Sequence, residues 1–144
     1  MASGKIHDRS ILLTTPLALY AQHSLSLHPA FAALYLFSGL YLSPDIDTKS
    51  VVLKRWGFLK FIWFPYQRLF PHRGSFFNRN FFTHFPVVGT FLRIGYIILP
   101  LCIALLSSGF NRWNGLVEFL AILCVATESS SFIHLLLDII YTKR

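Results

Sequence analysis

At 144 residues the chain is long enough for one domain and no more. Its composition is 54% apolar and 17% aromatic with only 13% charged residues, where soluble domains carry about 25%; this excludes a disordered chain and argues against an ordinary soluble domain. The formal charge of +7 leaves three readings open: membrane topology, anionic lipid and nucleic acid.

The distribution of charge favours the first. Lys49, Lys54, Arg55, Lys60, Arg68, Arg73 and Arg79 lie between two hydrophobic regions. Lys5 and Arg9 precede the first region, Lys143 and Arg144 follow the last, and only Arg93 and Arg112 lie elsewhere. The positive-inside rule produces that pattern when both termini and the central loop share the cytoplasmic side.

In chain order, "ILLTTPLALYAQHSLSL" (11–27) and "PAFAALYLFSGLYL" (29–42) read as two helices broken at His28 and Pro29. Each falls short of the roughly 20 residues that span a bilayer. The pair is either a hairpin that returns to the basic side or one long bent span. A signal peptide, with Lys5 and Arg9 ahead of 11–21, is disfavoured by Asp8 and by Pro16. His23 and His28 fall at the far turn and read as structural.

Residues 43–85 form a basic, aromatic loop, "RWGFLKFIWFPYQRLF" within it. Trp56 and Trp63 among Lys and Arg suit the lipid headgroup layer, and RNA stacking is the weaker reading. "PVVGTFLRIGYIILPLCIALLSSGF" (86–110) is long enough to span, "NRWNG" (111–115) reads as a turn, and "LVEFLAILCVATESSSFIHLLLDII" (116–140) again is long enough. Cys102 and Cys124 sit in apolar runs with no CxxC and read as small hydrophobes. The expected fold is all-α: an integral membrane bundle of about four helical segments (11–27, 29–42, 86–109, 116–141) with an interfacial loop, in a single membrane domain.

The last segment carries Glu118, Glu128, His134 and Asp138, which are costly against lipid and must face protein, water or metal. At 100° per residue, Thr127, Ser131, His134 and Asp138 share an arc of roughly 60°. His134 and Asp138 are one turn apart and can hold one ion together. Glu128 lies off that stripe and is expected to pair with Arg93.

In the hairpin topology the polar clusters converge. His7 lies before the first helix, Asp45 and Asp47 follow the second, His72 and His84 fall in and after the loop, and His134 and Asp138 end the last helix. All reach one cytoplasmic rim. Imidazoles with carboxylates suit Zn, with Fe or Mn as alternatives, better than Mg or Ca. Two aspartates flanking one residue can each hold a different metal of a pair, or one can support the other. A metal pair about 3.5–4 Å apart activates water and grips a phosphate or carboxylate. Arg73 would stabilise an anionic substrate.

These residues also carry a resemblance. "SGKIHDR" (3–9), "SGLYLSPDIDTKSVVLKRWGFLKFIWFPYQ" (38–67) and "THFPVVGTFLRIGYIILP" (83–100) resemble a family of small bacterial, notably cyanobacterial, metal-binding membrane proteins, allied to the membrane-bound metal-dependent hydrolases. The resemblance implies His7, Asp45, Asp47, His72, His84, His134 and Asp138 as ligands. A more distant likeness to the zinc-dependent phospholipases C and single-strand nucleases implies phosphoester hydrolysis. "GSFFNRNFF" (74–82) departs from the family pattern by separating His72-Arg73 from Thr83-His84. The expectation is a membrane-bound, metal-dependent hydrolase in a bacterial inner membrane or thylakoid. The alternative is a non-catalytic accessory subunit of a larger membrane complex.

Overall fold

The computed structural model describes residues 3–70, 81–108 and 113–142. Among them every regular element is helical. Helix α1 (Gly4–Ser24) turns back into α2 (Phe31–Tyr41). The turn is closed by the Gln22 side chain, which accepts the Ala32 N–H at 2.9 Å, and by His28 Nδ1, which accepts the Ala30 N–H at 3.1 Å. His28 is structural, as expected. α1 starts well before residue 11, so His7 lies in its first turn rather than ahead of it. Its backbone N–H already bonds the Ser3 carbonyl at 3.2 Å, and helix propagation from there needs no apolar run.

The described part of the stretch expected as a loop is folded. It comprises a 3-10 turn (Pro44–Asp47), α3 (Val51–Arg55), a second 3-10 stretch (Gly57–Ile62), α4 (Trp63–Leu69) and α5 (Phe81–His84). Ser50 caps α3 by accepting the Leu53 N–H, and Gly57 allows the left-handed turn (φ +54°) that follows it. The aromatics here divide by depth. Trp63 and Tyr66 are fully buried and meet Trp56 and Tyr96 ring to ring. Trp56 is half-buried and donates its indole N–H to the Tyr41 carbonyl at 3.0 Å. Trp63 is therefore a core residue rather than a headgroup anchor; large rings gain much from mutual burial. The outward aromatics are Phe58, Phe61 and Phe64.

α6 (Val88–Ser107) and α7 (Trp113–Thr142) are each long and apolar enough to cross a membrane. Only 22% and 33% of their apolar windows are buried inside the protein, and Leu99, Ile103, Leu106, Val117 and Ile139 face outward. α1 and α2 do not share this property. At 1.5 Å per residue α2 runs only about 16 Å, roughly half a hydrocarbon core. α7 begins at Trp113, so the expected "NRWNG" turn is partly helix.

α2 runs alongside α7: Ser38 Oγ meets Thr127 Oγ1 at 2.8 Å, and Ser43 Oγ meets His134 Nδ1 at 3.0 Å. α1 packs against both, with Ile11, Ala18, Tyr35 and Ala126 in one apolar cluster. α6 lies on the other side, joined through Leu42, Trp63, Ile94 and Leu123. Gly39 is where α1 and α2 come closest; a Cβ there would sit 2.7 Å from the Ile11 side chain. This packing carries the start of α1, the end of α2 and the C-terminal part of α7 to one end of the bundle. Both cysteines are free thiols in apolar helices.

Candidate metal centre

The buried stripe on α7 forms as its period requires. Thr127, Ser131, His134 and Asp138 are all buried, with Asp138 1% exposed. Buried carboxylate and imidazole must find partners or a cation, and they find the other clusters. His134 Nε2 lies 3.3 Å from Asp138 Oδ2 and 3.4 Å from Asp45 Oδ1. His7 Nε2 lies 3.4 Å from Asp138 Oδ1, and His84 Nε2 lies 3.6 Å from Asp45 Oδ1. Two groups result, His7–His134–Asp138 and Asp45–His84–His134, each with ligand atoms within 4.8 Å of one another. His134 belongs to both.

The two aspartates of "PDID" have different positions. A 3-10 turn advances about 120° per residue, so residues two apart cannot point the same way. Asp45 faces His84 and His134. Asp47 lies behind His84, 4.0 Å from its Nδ1, and accepts a hydrogen bond from Thr83 Oγ1 at 2.6 Å. Thr83 Oγ1 is also 3.0 Å from His84 Nδ1. With its one proton given to Asp47, that hydroxyl accepts from the imidazole, so that the neutral ring has its lone pair on Nε2, toward Asp45. Ser43 Oγ meets His134 Nδ1 at 3.0 Å, a contact in which either group can donate. In the neutral form that binds a metal, the His84 ring therefore presents a lone pair to the centre, and a carboxylate behind an imidazole is a recurrent support for a metal-binding histidine.

The donor set fits a divalent transition metal. His134 Nε2 is buried, lies between two carboxylates and has no hydrogen bond of good geometry. In the metal-free centre, where imidazole protons take the place of a metal ion, burial would raise the Asp45 carboxyl, but His134 and His84 outweigh it and hold the group well below the usual carboxylate range. Asp45 is also the accessible member: its side chain is 17% exposed, against at most 7% for the other four. It lines a cavity of about 250 Å³ together with His7 and Ser43.

A buried guanidinium braces this end of the bundle. Arg93 donates to the Thr83 carbonyl at 3.1 Å, to Ser131 Oγ at 2.9 Å and to Thr90 Oγ1 at 3.3 Å. The expected direct Arg93–Glu128 pair is not formed. Thr90 stands between them and donates to Glu128 Oε2 at 2.5 Å, while Val87 N–H takes Oε1 at 3.0 Å.

Of the seven expected ligands, the structure brings together His7, Asp45, His84, His134 and Asp138, and sets Asp47 against His84. His72 and Arg73 lie outside the described residues. Ser43 was missed; its position directly before "PDID" was the available signal.

A chain with this helical fold and this buried His/Asp group falls in a metal-binding class. It belongs to the family described as uncharacterized metal-binding protein (DUF2227), which matches residues 2–120. The match includes His7, Asp45 and His84; His134 and Asp138 lie beyond it. An uncharacterized protein from Aquifex aeolicus is 41% identical over 64 residues, covering 44% of this chain and 40% of that protein. This chain thus matches well under two thirds of that relative's length. No solved structure matches.

Proposed function

We propose that His7, Asp45, His84, His134 and Asp138 hold one or two divalent transition metal ions, zinc first, and that the centre is a membrane-bound hydrolase acting on a phosphoester. The observation that carries this reading is the exposure of Asp45. Four candidate ligands are sealed in the bundle, and the fifth opens onto a cavity. A purely structural metal site is closed on all sides, whereas a catalytic one keeps an approach for substrate. When bound, the metal supplies Lewis acidity and makes water acidic enough to react at neutral pH. The chain's residues fix its donors: Thr83 holds the His84 tautomer, Ser43 orients the His134 ring, Asp47 steadies His84, and Arg93 ties α5 to α7. α6 and α7 anchor the centre in a membrane, with the basic end and both termini on the cytoplasmic side.

A second reading rests on α1. Leu13, Leu17 and Tyr20 project outward at 77%, 66% and 71% exposure, on a helix that does not qualify as a span by itself. That face suits another membrane subunit, and the centre would then be structural.

Elemental analysis of the detergent-purified protein tests the first reading, with wild type beside Asp45→Ala and His84→Ala. Stoichiometric metal in the wild type that both substitutions remove supports it. A metal-free wild type, even after supplementation, sinks it and leaves the accessory subunit.

A further inference from the structure

The cavity beside Asp45 has a second feature. Besides His7 and Asp45 it is lined by Asp8, Lys49 and Lys54. Asp8 is engaged by the Arg55 guanidinium, which also donates to the Leu40 carbonyl at 2.8 Å. Lys49 and Lys54 are exposed and form no ion pair among the described residues. Their placement is enforced by the fold: Lys49 follows the 3-10 turn that carries Asp45, and Lys54 lies one helical turn beyond the Ser50 cap of α3. His7 adds a donor. It is 6% exposed, it lines the cavity, and its Nδ1 has no hydrogen-bond partner while Nε2 faces Asp138.

We infer that this cavity is the substrate site and takes a phosphate monoester group, with Lys49 and Lys54 as the residues that position it. The inference rests on the metal reading above, because a bound metal ion offsets Asp45 and Asp138. The two lysines are then the uncompensated charges of the cavity. A phosphate monoester carries between one and two negative charges near neutral pH, which matches two ammonium groups. A diester carries one. Once Nε2 of His7 faces the centre, the neutral ring must carry its proton on Nδ1, and a buried N–H without an acceptor is costly. A phosphate oxygen satisfies it. The cavity's size points the same way. About 250 Å³ is below the roughly 300–1,000 Å³ that encloses a drug-sized ligand, so it holds a terminal phosphate and its first few atoms. The rest of the substrate lies outside, in lipid or in water.

The test uses the full-length, metal-assayed protein in nanodiscs and calorimetric titration with inorganic phosphate. Lys49→Ala and Lys54→Ala should each weaken binding about tenfold, the worth of one charge-assisted hydrogen bond. The double variant should weaken it further, with metal content unchanged. Lys60→Ala, an exposed lysine outside the cavity, should bind as wild type. Equal affinity in the double variant, or equal loss in Lys60→Ala, overturns the assignment. Metal-loaded protein that binds no phosphate overturns it while leaving the metal centre standing. Lysine-dependent phosphate binding by protein that holds no metal keeps this site and removes the hydrolase. Two further probes distinguish the source. Competition by glycerol 3-phosphate indicates a soluble monoester, and lysine-dependent retention on phosphatidate-containing vesicles over phosphatidylcholine alone indicates a lipid one. If neither probe binds, the monoester assignment fails.

Discussion

The imidazole rings of His7 and His134 lie face to face, their centroids 3.7 Å apart and their planes 14° from parallel. One is from the first turn of α1 and the other from the C-terminal part of α7. Two imidazolium ions so stacked would repel, so the arrangement suits at most one charged ring, and imidazole binds a metal in its neutral form. Both Nε2 atoms face Asp138, at 3.4 and 3.3 Å. His134 also reaches Asp45, which His7 does not, and this asymmetry can be tested.

His134→Ala should remove metal from both groups at once. His7→Ala leaves Asp45, His84 and His134 in place and should retain part of it. In His134→Ala the stoichiometry should fall by more than about tenfold, since even a residue that only orients a ligand is worth roughly 10–100-fold in affinity. Emission spectrometry of the purified variants decides. Full metal retention in His134→Ala would show that the shared ligand is not a ligand.

Thr83→Val removes the hydroxyl that links Asp47 to His84 and nearly preserves shape. Asp47 loses a 2.6 Å hydrogen bond and His84 Nδ1 loses an acceptor at 3.0 Å. The tautomer of His84 is then no longer fixed by Thr83. Metal affinity, read by competition with a chelator, should drop about 10–100-fold. Ser43→Ala should act the same way through His134 Nδ1. An affinity unchanged in both would mean the hydroxyls only fill space.

The sequence carried the helical class and the α7 stripe, because both follow from a period. His134 and Asp138, four residues apart on an apolar helix, had to face inward. Convergence at one end was legible too, since short connections force neighbouring helices to return. The division of labour between Asp45 and Asp47 was not, because it depends on the 3-10 winding of "PDID", which no apolar pattern announces. The burial of Trp63 was hidden for a related reason. Phe58, Phe61 and Phe64 are as apolar as Trp63 yet face out, and only the packing of α4 against α6 separates them. The bridge from Arg93 to Thr83 depends on how α5 abuts α6, and spacing along one helix cannot supply it.

Gly39 permits the close approach of α1 to α2 that brings His7 to the centre. Gly39→Ala places a methyl 2.7 Å from the Ile11 side chain, itself 2% exposed. Ile11 is β-branched and has little freedom to yield. Overpacking of this kind costs about 1–3 kcal/mol, and the strain falls one helical turn from His7. The variant should melt several degrees below wild type in detergent and hold its metal more weakly. Ile11→Ala added to Gly39→Ala should recover part of the metal affinity. Wild-type melting of Gly39→Ala would show that the helices separate without cost.

Arg93 is 1% exposed and ties α5, α6 and α7 together through Thr83, Thr90 and Ser131. Arg93→Met keeps most of the side-chain bulk and removes all of these donors. The Thr83 carbonyl and the Ser131 hydroxyl each lose a charged partner, at about 1–3 kcal/mol for a group left unsatisfied. Thermal stability should therefore fall even in metal-free protein, unlike the effect expected for Thr83→Val, which centres on metal affinity. Equal stability of Arg93→Met and wild type without metal would show that these hydrogen bonds are not structural.

Acid should act on the metal-free protein through Asp45. Its carboxyl is largely but not fully buried, which by itself raises it, but the protons of His134 on α7 and His84 on α5 hold it below its ordinary range. In the unfolded chain the group titrates near about 3.9. The folded state therefore binds fewer protons through that region, and stability rises with pH there. The contribution is fully present above about pH 5 and is lost as pH falls through and below about 4. Chelator-treated wild type should lose melting temperature over that interval more steeply than Asp45→Asn, which has no carboxylate to protonate. Parallel slopes for the two proteins would mean that Asp45 is not held ionised by the imidazoles. Bound metal should lower the acid limit further, because protons must displace it from the same oxygen and nitrogen atoms. The gap between the metal-loaded and stripped wild type should then close in His134→Ala, where the shared ligand is gone.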